Sequence, residues 1–229
     1  IDRQVMDLLP ARDELFEQAV YPTLAARGQL AANITSHRYY SVGSLERLGQ
    51  TGEFLERRPT VILDRDGVLN RKPPRAEYVR SWSEFEWLPG SLEALGLLGA
   101  AGYRLFVVSN QAGIARGAMT AADVERIHER MRALAAAAGG PIEAVLYCPH
   151  HWDERCQCRK PKPGMLFDLQ RQFHCDLTRT PFLGDDERDG MAAEAAGCPF
   201  IAIDANHTLL DAVRQLPLVV SEAAGAIHL

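Results

Sequence analysis

The sequence predicts an α/β protein built on a doubly wound, Rossmann-like parallel sheet, and three observations lead there. From Thr60 onward, short apolar runs alternate with stretches of helical spacing, the pattern of strands joined by crossover helices. The runs read as continuous Val/Ile/Leu-rich segments, as expected of strands covered by helices on both faces. Three of them end in residues able to do chemistry: Asp64-Arg65-Asp66, Ser109-Asn110-Gln111 and Asp185-Asp186. Open α/β sheets bind ligands at the carboxyl ends of their strands.

The 229 residues leave room for one ordinary domain and an appendage, with Pro59 as the natural boundary between residues 1–58 and 59–229. A net charge of −5 speaks against a nucleic-acid-binding surface. No apolar run approaches the roughly 20 residues of a membrane span, and the start lacks a signal-peptide pattern, so a cytoplasmic protein is expected. Beginning at Ile1 rather than Met, the chain is expected to be a fragment or a processed product.

Residues 11–30 carry helical spacing interrupted by Pro22 and stopped at Gly28, which predicts short helices. Residues 31–42 look strand-like, and Ser44 is placed to cap a helix running to about Glu56. Residues 61–63 form the first buried strand. The polar, Pro-containing residues 71–86 are long enough to cover the site as a flap. A helix over 89–101 stops at Gly102, and residues 103–108 form the second strand. Thr120 caps a helix to about Ala138; residues 142–147 are a third strand. A helix over 163–174, a strand over 181–184 and a helix over 187–196 closed by Gly197 follow. Strands over 200–203 and 218–220 complete the reading.

Asp64 and Asp66, two apart at a strand end, are expected on the same side, where two carboxylates hold one hard cation such as Mg²⁺. One carboxylate can then attack phosphorus while the other manages the leaving group's proton. Asp and Gly are also ordinary turn residues. Ser109, with backbone N–H groups nearby, can hold oxygens of a transferring phosphoryl group. Asp185 is the expected remaining protein ligand for the cation, with Asp189 one helical turn on. The run Arg159-Lys160-Pro161-Lys162-Pro163-Gly164 puts cations before a helix, and either Lys160 or Lys162 can balance the acids.

Cys148, Cys156 and Cys158, with His150 and His151 among them, are the most specific local signal. Three thiolates and one imidazole close a tetrahedral, structural Zn²⁺ site. Such clustering fits metal binding in a reducing compartment better than disulfides, and Cys175 and Cys198 read as buried thiols.

The string Asp64-Arg-Asp-Gly-Val-Leu-Asn70 resembles the first motif of the haloacid dehalogenase superfamily, and Val107-Val-Ser-Asn-Gln-Ala-Gly-Ile-Ala-Arg-Gly117 resembles its second. With Arg159-Lys160-Pro161 and the Cys/His loop, residues 60–220 are similar to the histidinol-phosphatase and heptose-bisphosphate-phosphatase branch. That resemblance implies a Mg²⁺-dependent phosphatase with a minimal cap, working through an aspartyl-phosphate on Asp64, with Asp66 as proton carrier. It implies Ser109 and Lys160 as the phosphate-positioning hydroxyl and the catalytic lysine. It also implies substrate contacts from Arg65, Asn110, Gln111 and Arg159, and His150 as the fourth zinc ligand. Related phosphatases can carry a lysine where Asp186 stands. The implied substrate is a small sugar phosphate, D-glycero-D-manno-heptose 1,7-bisphosphate losing its 7-phosphate, with histidinol phosphate second. A catalytically silent scaffold in a sugar-nucleotide complex is the reading from another class. The opening residues, Phe16-Glu-Gln-Ala-Val-Tyr-Pro-Thr-Leu-Ala-Ala-Arg-Gly-Gln-Leu30 and His37-Arg-Tyr-Tyr-Ser-Val-Gly-Ser-Leu-Glu-Arg-Leu48, resemble the end of a sugar-1-phosphate nucleotidyltransferase. Its Gly-rich nucleotide loop is absent, so the tail is expected to be either the remnant of a fused or associated transferase, the favoured reading, or a packing and assembly element.

Overall fold

The computed structural model describes residues 3–9, 15–31, 44–45, 47–48, 51–52 and 58–217. The chain divides into two compact units, Ile1–Tyr40 and Ser41–Leu229. In the first, a 3₁₀ turn (Arg3–Leu8) precedes α1 (Phe16–Ala19) and α2 (Tyr21–Ala26), the short helices that the spacing predicts. Pro22 opens α2 rather than breaking it, because the first helical turn has no use for its missing N–H. The expected strands over 31–42 and 218–220 fall on residues 32–42 and 218–220, which lie outside the described residues.

In the second unit, the Ser44 hydroxyl accepts from the Arg47 N–H at 3.3 Å, the expected cap. Among the described residues five parallel strands follow: β1 (Thr60–Leu63), β2 (Arg104–Asn110), β3 (Ile142–Cys148), β4 (Phe182–Gly184) and β5 (Phe200–Ala202). Their order is β3-β2-β1-β4-β5, with Ile62 opposite Phe106 on one side and Phe182 on the other. The order reverses between β1 and β4, and such a switch opens a crevice at the strands' carboxyl ends.

Period-two alternation divides the core. Val61, Leu63, Leu105 and Val107 pack with Leu95 and Leu98 of α3 (Ser91–Ala100), Ile127 and Met131 of α4 (Ala121–Ala137), and Val213 of α7 (Leu209–Gln215). Ile62, Phe106 and Val108 face the other way, onto Leu166 and Leu169 of α5 (Gly164–Phe173) and Ala192 and Ala193 of α6 (Glu187–Ala196). The expectation of helices on both faces is met. Thr120 and Asp123 form a full capping box on α4, and Gly197 ends α6 at φ +72°. Helix α7 is an addition to the expected elements. Its own box, Thr208 with Asp211, was present in the sequence as a start signal.

Residues 71–86 form the expected flap. The Arg71 N–H donates to the Glu86 carbonyl at 2.8 Å and the Leu88 N–H to Leu69 at 2.9 Å, so the loop is closed at its base. Phe85 is buried and stacks on Trp82 at 4.7 Å, giving the loop a small core of its own. Among the described residues no helix is long and apolar enough to cross a membrane.

Candidate active site

Asp64 is the first residue beyond β1, Ser109 lies near the end of β2, and Asp185 is the first residue beyond β4. Sheet pairing alone therefore brings these three chain segments to one crevice. Lys160 completes the group from the loop before α5. Its Nζ lies 2.9 Å from Asp64 Oδ1 and 2.7 Å from Asp189 Oδ1, and it donates to the Val108 carbonyl at 3.1 Å. All three side chains are buried. A buried ammonium stays charged only when paired; burial pulls the Lys160 pKa down, but Asp64 and Asp189 outweigh it and hold it above the ordinary value. Burial pushes the Asp64 carboxyl up to about 7, with Lys160 opposing and Asp189 and Asp66 adding to the rise. Lys162, the other candidate, instead donates to the carbonyls of Arg155 and Cys156 at 3.0 and 2.8 Å.

Oxygens of Asp64, Asp185 and Asp189 lie within 4.8 Å of one another. The Asp185 Oδ1 is buried with no hydrogen-bond partner among the described residues, while its Oδ2 accepts from Lys72 of the flap at 2.8 Å. An unpartnered buried carboxylate oxygen beside two other acids suits a hard cation. Glycines make the approach possible. A Cβ at Gly67 would sit 2.1 Å from Asp185 Oδ2, and one at Gly184 would sit 2.5 Å from the Asp189 Cβ.

This acid set differs from the expected Asp64, Asp66 and Asp185. The strand ends at Leu63, so alternation does not carry on to Asp66. Residues 65–70 form a tight turn instead, in which the Asn70 N–H donates to Arg65 at 3.1 Å and the Gly67 N–H to Asn70 at 2.7 Å. The Asp66 carboxylate accepts from Arg65 at 2.8 and 2.9 Å, from Asn70 at 2.9 Å and from Gln111 at 2.9 Å. Burial opposes its charge, but the Arg65 guanidinium and these bonds hold the carboxyl below its usual range.

Three expected substrate contacts, Arg65, Asn110 and Gln111, are turned inward. Arg65 has no exposed surface and is engaged by Asp66 and His128. Asn110 clamps the Lys160 backbone, its Oδ1 accepting from the Lys160 N–H and its Nδ2 donating to the Lys160 carbonyl, both at 3.1 Å. Gln111 is buried and bridges Ser109 Oγ, at 2.8 Å, to Asp66. Lys72, which also reaches Asp186 at 3.1 Å, was not among the expected site residues. Nothing in the sequence connects it to a pair 113 residues on; only its place in the flap after the first motif was a signal.

The Cys/His loop leaves β3 at Cys148. Cys148 Sγ is 3.5 Å from His150 Nδ1 and 3.6 Å from Cys156 Sγ, and His150 Nδ1 is 3.2 Å from Cys158 Sγ. A tetrahedron with roughly 2.3 Å metal–sulfur and 2.0 Å metal–nitrogen bonds has edges of about 3.5–3.8 Å, so the four donors fit one Zn²⁺. His151 lies outside the cluster and pairs with Asp153 at 3.1 Å. Arg159 is tied to the loop through the His150 carbonyl at 3.4 Å.

An acid after the first strand, a hydroxyl on the second, a buried lysine and an acid group after the fourth form the constellation of a haloacid dehalogenase-type phosphatase. The chain belongs to the polynucleotide kinase 3 phosphatase family of such enzymes, whose pattern matches residues 60–196. It is 39% identical over 167 residues to D-glycero-beta-D-manno-heptose-1,7-bisphosphate 7-phosphatase of Pseudomonas putida, covering 72% of this chain and 94% of that one. It is 40% identical over 149 residues to D-glycero-alpha-D-manno-heptose-1,7-bisphosphate 7-phosphatase of Mycobacterium bovis, covering 62% and 78%. The crystal structure of D,D-heptose 1,7-bisphosphate phosphatase from Bordetella bronchiseptica, complexed with magnesium and phosphate, matches with a TM-score of 0.61 at 38% identity, over 70% of this chain and 88% of that one.

Proposed function

We propose that the chain removes the 7-phosphate of D-glycero-D-manno-heptose 1,7-bisphosphate through an aspartyl-phosphate on Asp64. The observation that carries the mechanism is the Asp64–Lys160–Asp189 contact in a buried crevice; the relatives' substrates support the choice of sugar. Asp64, Asp185 and the acid beside them would hold Mg²⁺, which supplies charge neutralisation between carboxylate and phosphate. An Asp64 oxygen attacks phosphorus while the bond to the sugar oxygen breaks, and the leaving oxygen takes a proton from the Asp66 carboxyl. The Asp66 carboxylate then accepts a proton from the water that attacks the aspartyl-phosphate, freeing Asp64 and inorganic phosphate. Arrival of a phosphate dianion raises the affinity of Asp66 for the proton it must first carry. Ser109 and Lys160 hold phosphoryl oxygens, and Gln111 keeps Ser109 and Asp66 in register.

Cys148, His150, Cys156 and Cys158 would hold a structural Zn²⁺ that steadies Arg159 for substrate recognition. Residues 1–58 hold none of these groups and are assigned to assembly, with a sugar-1-phosphate nucleotidyltransferase as the partner class. The test is a side-by-side assay of heptose bisphosphate and histidinol phosphate with Mg²⁺, and mass spectrometry of the quenched enzyme. A phosphoryl adduct on Asp64 and preference for the heptose are expected. Near-normal turnover by Asp64→Asn, or preference for histidinol phosphate, would refute the corresponding half.

A further inference from the structure

His128 lies on α4, outside every group assigned to the reaction, and is only 2% exposed. Its Nε2 is 3.2 Å from Arg65 NH1. A guanidinium carries donors only, so Nε2 accepts and the ring proton resides on Nδ1. That Nδ1 is buried with no hydrogen-bond partner among the described residues. An unmatched buried donor is unfavourable, and an apolar side chain at this core position of α4 would avoid it.

What the imidazole provides is a partner for one particular nitrogen. Arg65 turns Nε and NH2 to Asp66, at 3.2 Å and at 2.9 and 2.8 Å, and leaves NH1 facing α4. Arg65 is wholly buried, so NH1 is cut off from bulk water and needs a buried acceptor, which His128 supplies. The acceptor is itself held from the side by Tyr147 of β3, whose ring meets the imidazole edge-on at 5.4 Å. The Tyr147 hydroxyl donates to Glu125 at 2.8 Å, one helical turn before His128. Burial and the adjacent guanidinium also push the His128 pKa down to about 3, so the ring stays the neutral acceptor that this geometry requires.

We propose that His128 is a positioning residue for proton transfer: it fixes the Arg65 guanidinium, and Arg65 fixes the carboxyl of Asp66 where it meets the leaving oxygen. This rests on the reading of Asp66 as the proton carrier. Neither His128 nor Arg65 gains or loses a proton in either step; the proton moves only between Asp66 and the leaving oxygen or the attacking water.

A misplaced proton donor penalises a poor leaving group and spares a good one. The experiment compares kcat/KM for an alkyl sugar phosphate with that for p-nitrophenyl phosphate, whose phenolate leaves without a proton. His128→Phe fills the space without an acceptor and is expected to lose about tenfold more on the sugar phosphate than on the aryl ester, a fraction of the full effect of general acid catalysis. His128→Gln, with an amide oxygen as acceptor, should restore most of that difference. If the Phe variant does not fold, His128→Met makes the same comparison. Equal losses on both substrates, or a Gln variant as selective in its defect as the Phe variant, would overturn the proposal. Asp66→Asn on the same pair separates the two readings. If it shows no leaving-group dependence, the role of Asp66 fails and the proposal with it; if it does and His128→Phe does not, only the proposal fails.

Discussion

The cysteine loop collects its four donor atoms from the eleven residues between Cys148 and Cys158, whereas the acid centre collects Asp64, Ser109, Lys160, Asp185 and Asp189 from across the chain. The loop hangs from the end of edge strand β3; the acid centre sits over the central strands β1, β2 and β4. In the loop three of the four donors are partly exposed, while Asp64, Lys160 and Asp189 are all buried. The two clusters should therefore fail differently. A local chelate depends on its ion, and losing it frees a loop; a buried ionic centre is part of the core, and unbalancing it is felt by the whole sheet.

The severest test of that contrast is Lys160→Met. It leaves Asp64 and Asp189 buried without their cation, and breaking such a pair costs about 3–5 kcal/mol. Urea unfolding should show a loss of that size, together with near-complete loss of turnover. A variant as stable as the parent would mean that the lysine does not hold the centre together. Cys156→Ser is expected to have the middle effect. Elemental analysis should show zinc lost, KM should rise about tenfold or more as Arg159 loosens, and the urea transition of the sheet should move little. Protein prepared without chelator that contains no zinc would remove the loop's half of the comparison.

The smallest effect is expected at Lys72, which links the flap to Asp185 and Asp186. Its side chain is 44% exposed, so water screens much of the interaction. Lys72→Met should change stability by less than about 1 kcal/mol. Trypsin should nonetheless cut faster between Arg71 and Arg80, because the flap has lost its tie. An unchanged digestion pattern would show that the base of the loop alone keeps it closed.

Much of this was legible in the residues. Helix ends were readable because caps are local: Thr120 with Asp123, and Gly197 with its positive φ, act within a turn. The box of Thr208 and Asp211 is just as local and marks the start of α7. The zinc-type loop was legible because its donors are near neighbours. The orientation of Asp66 was not, because two-residue spacing means one face only while the chain remains a strand, and β1 stops at Leu63. The choice between Lys160 and Lys162 turned on which ammonium faces Asp64 and which faces the Arg155 and Cys156 carbonyls.

By itself the sequence determined the alternation of strands and helices, the helix termini, the loop of soft ligands and the kinds of groups at three strand ends. Each follows from contacts within a few residues, or from a period that one element imposes on its own side chains. The strand order β3-β2-β1-β4-β5, the meeting of Asp189 with Lys160, the inward turn of Arg65 and Asn110, and the reach of Lys72 to Asp185 were decided only in three dimensions. Burial is a property of the assembled sheet: only there do charged groups lose water, and only then must each find the partner that keeps it charged.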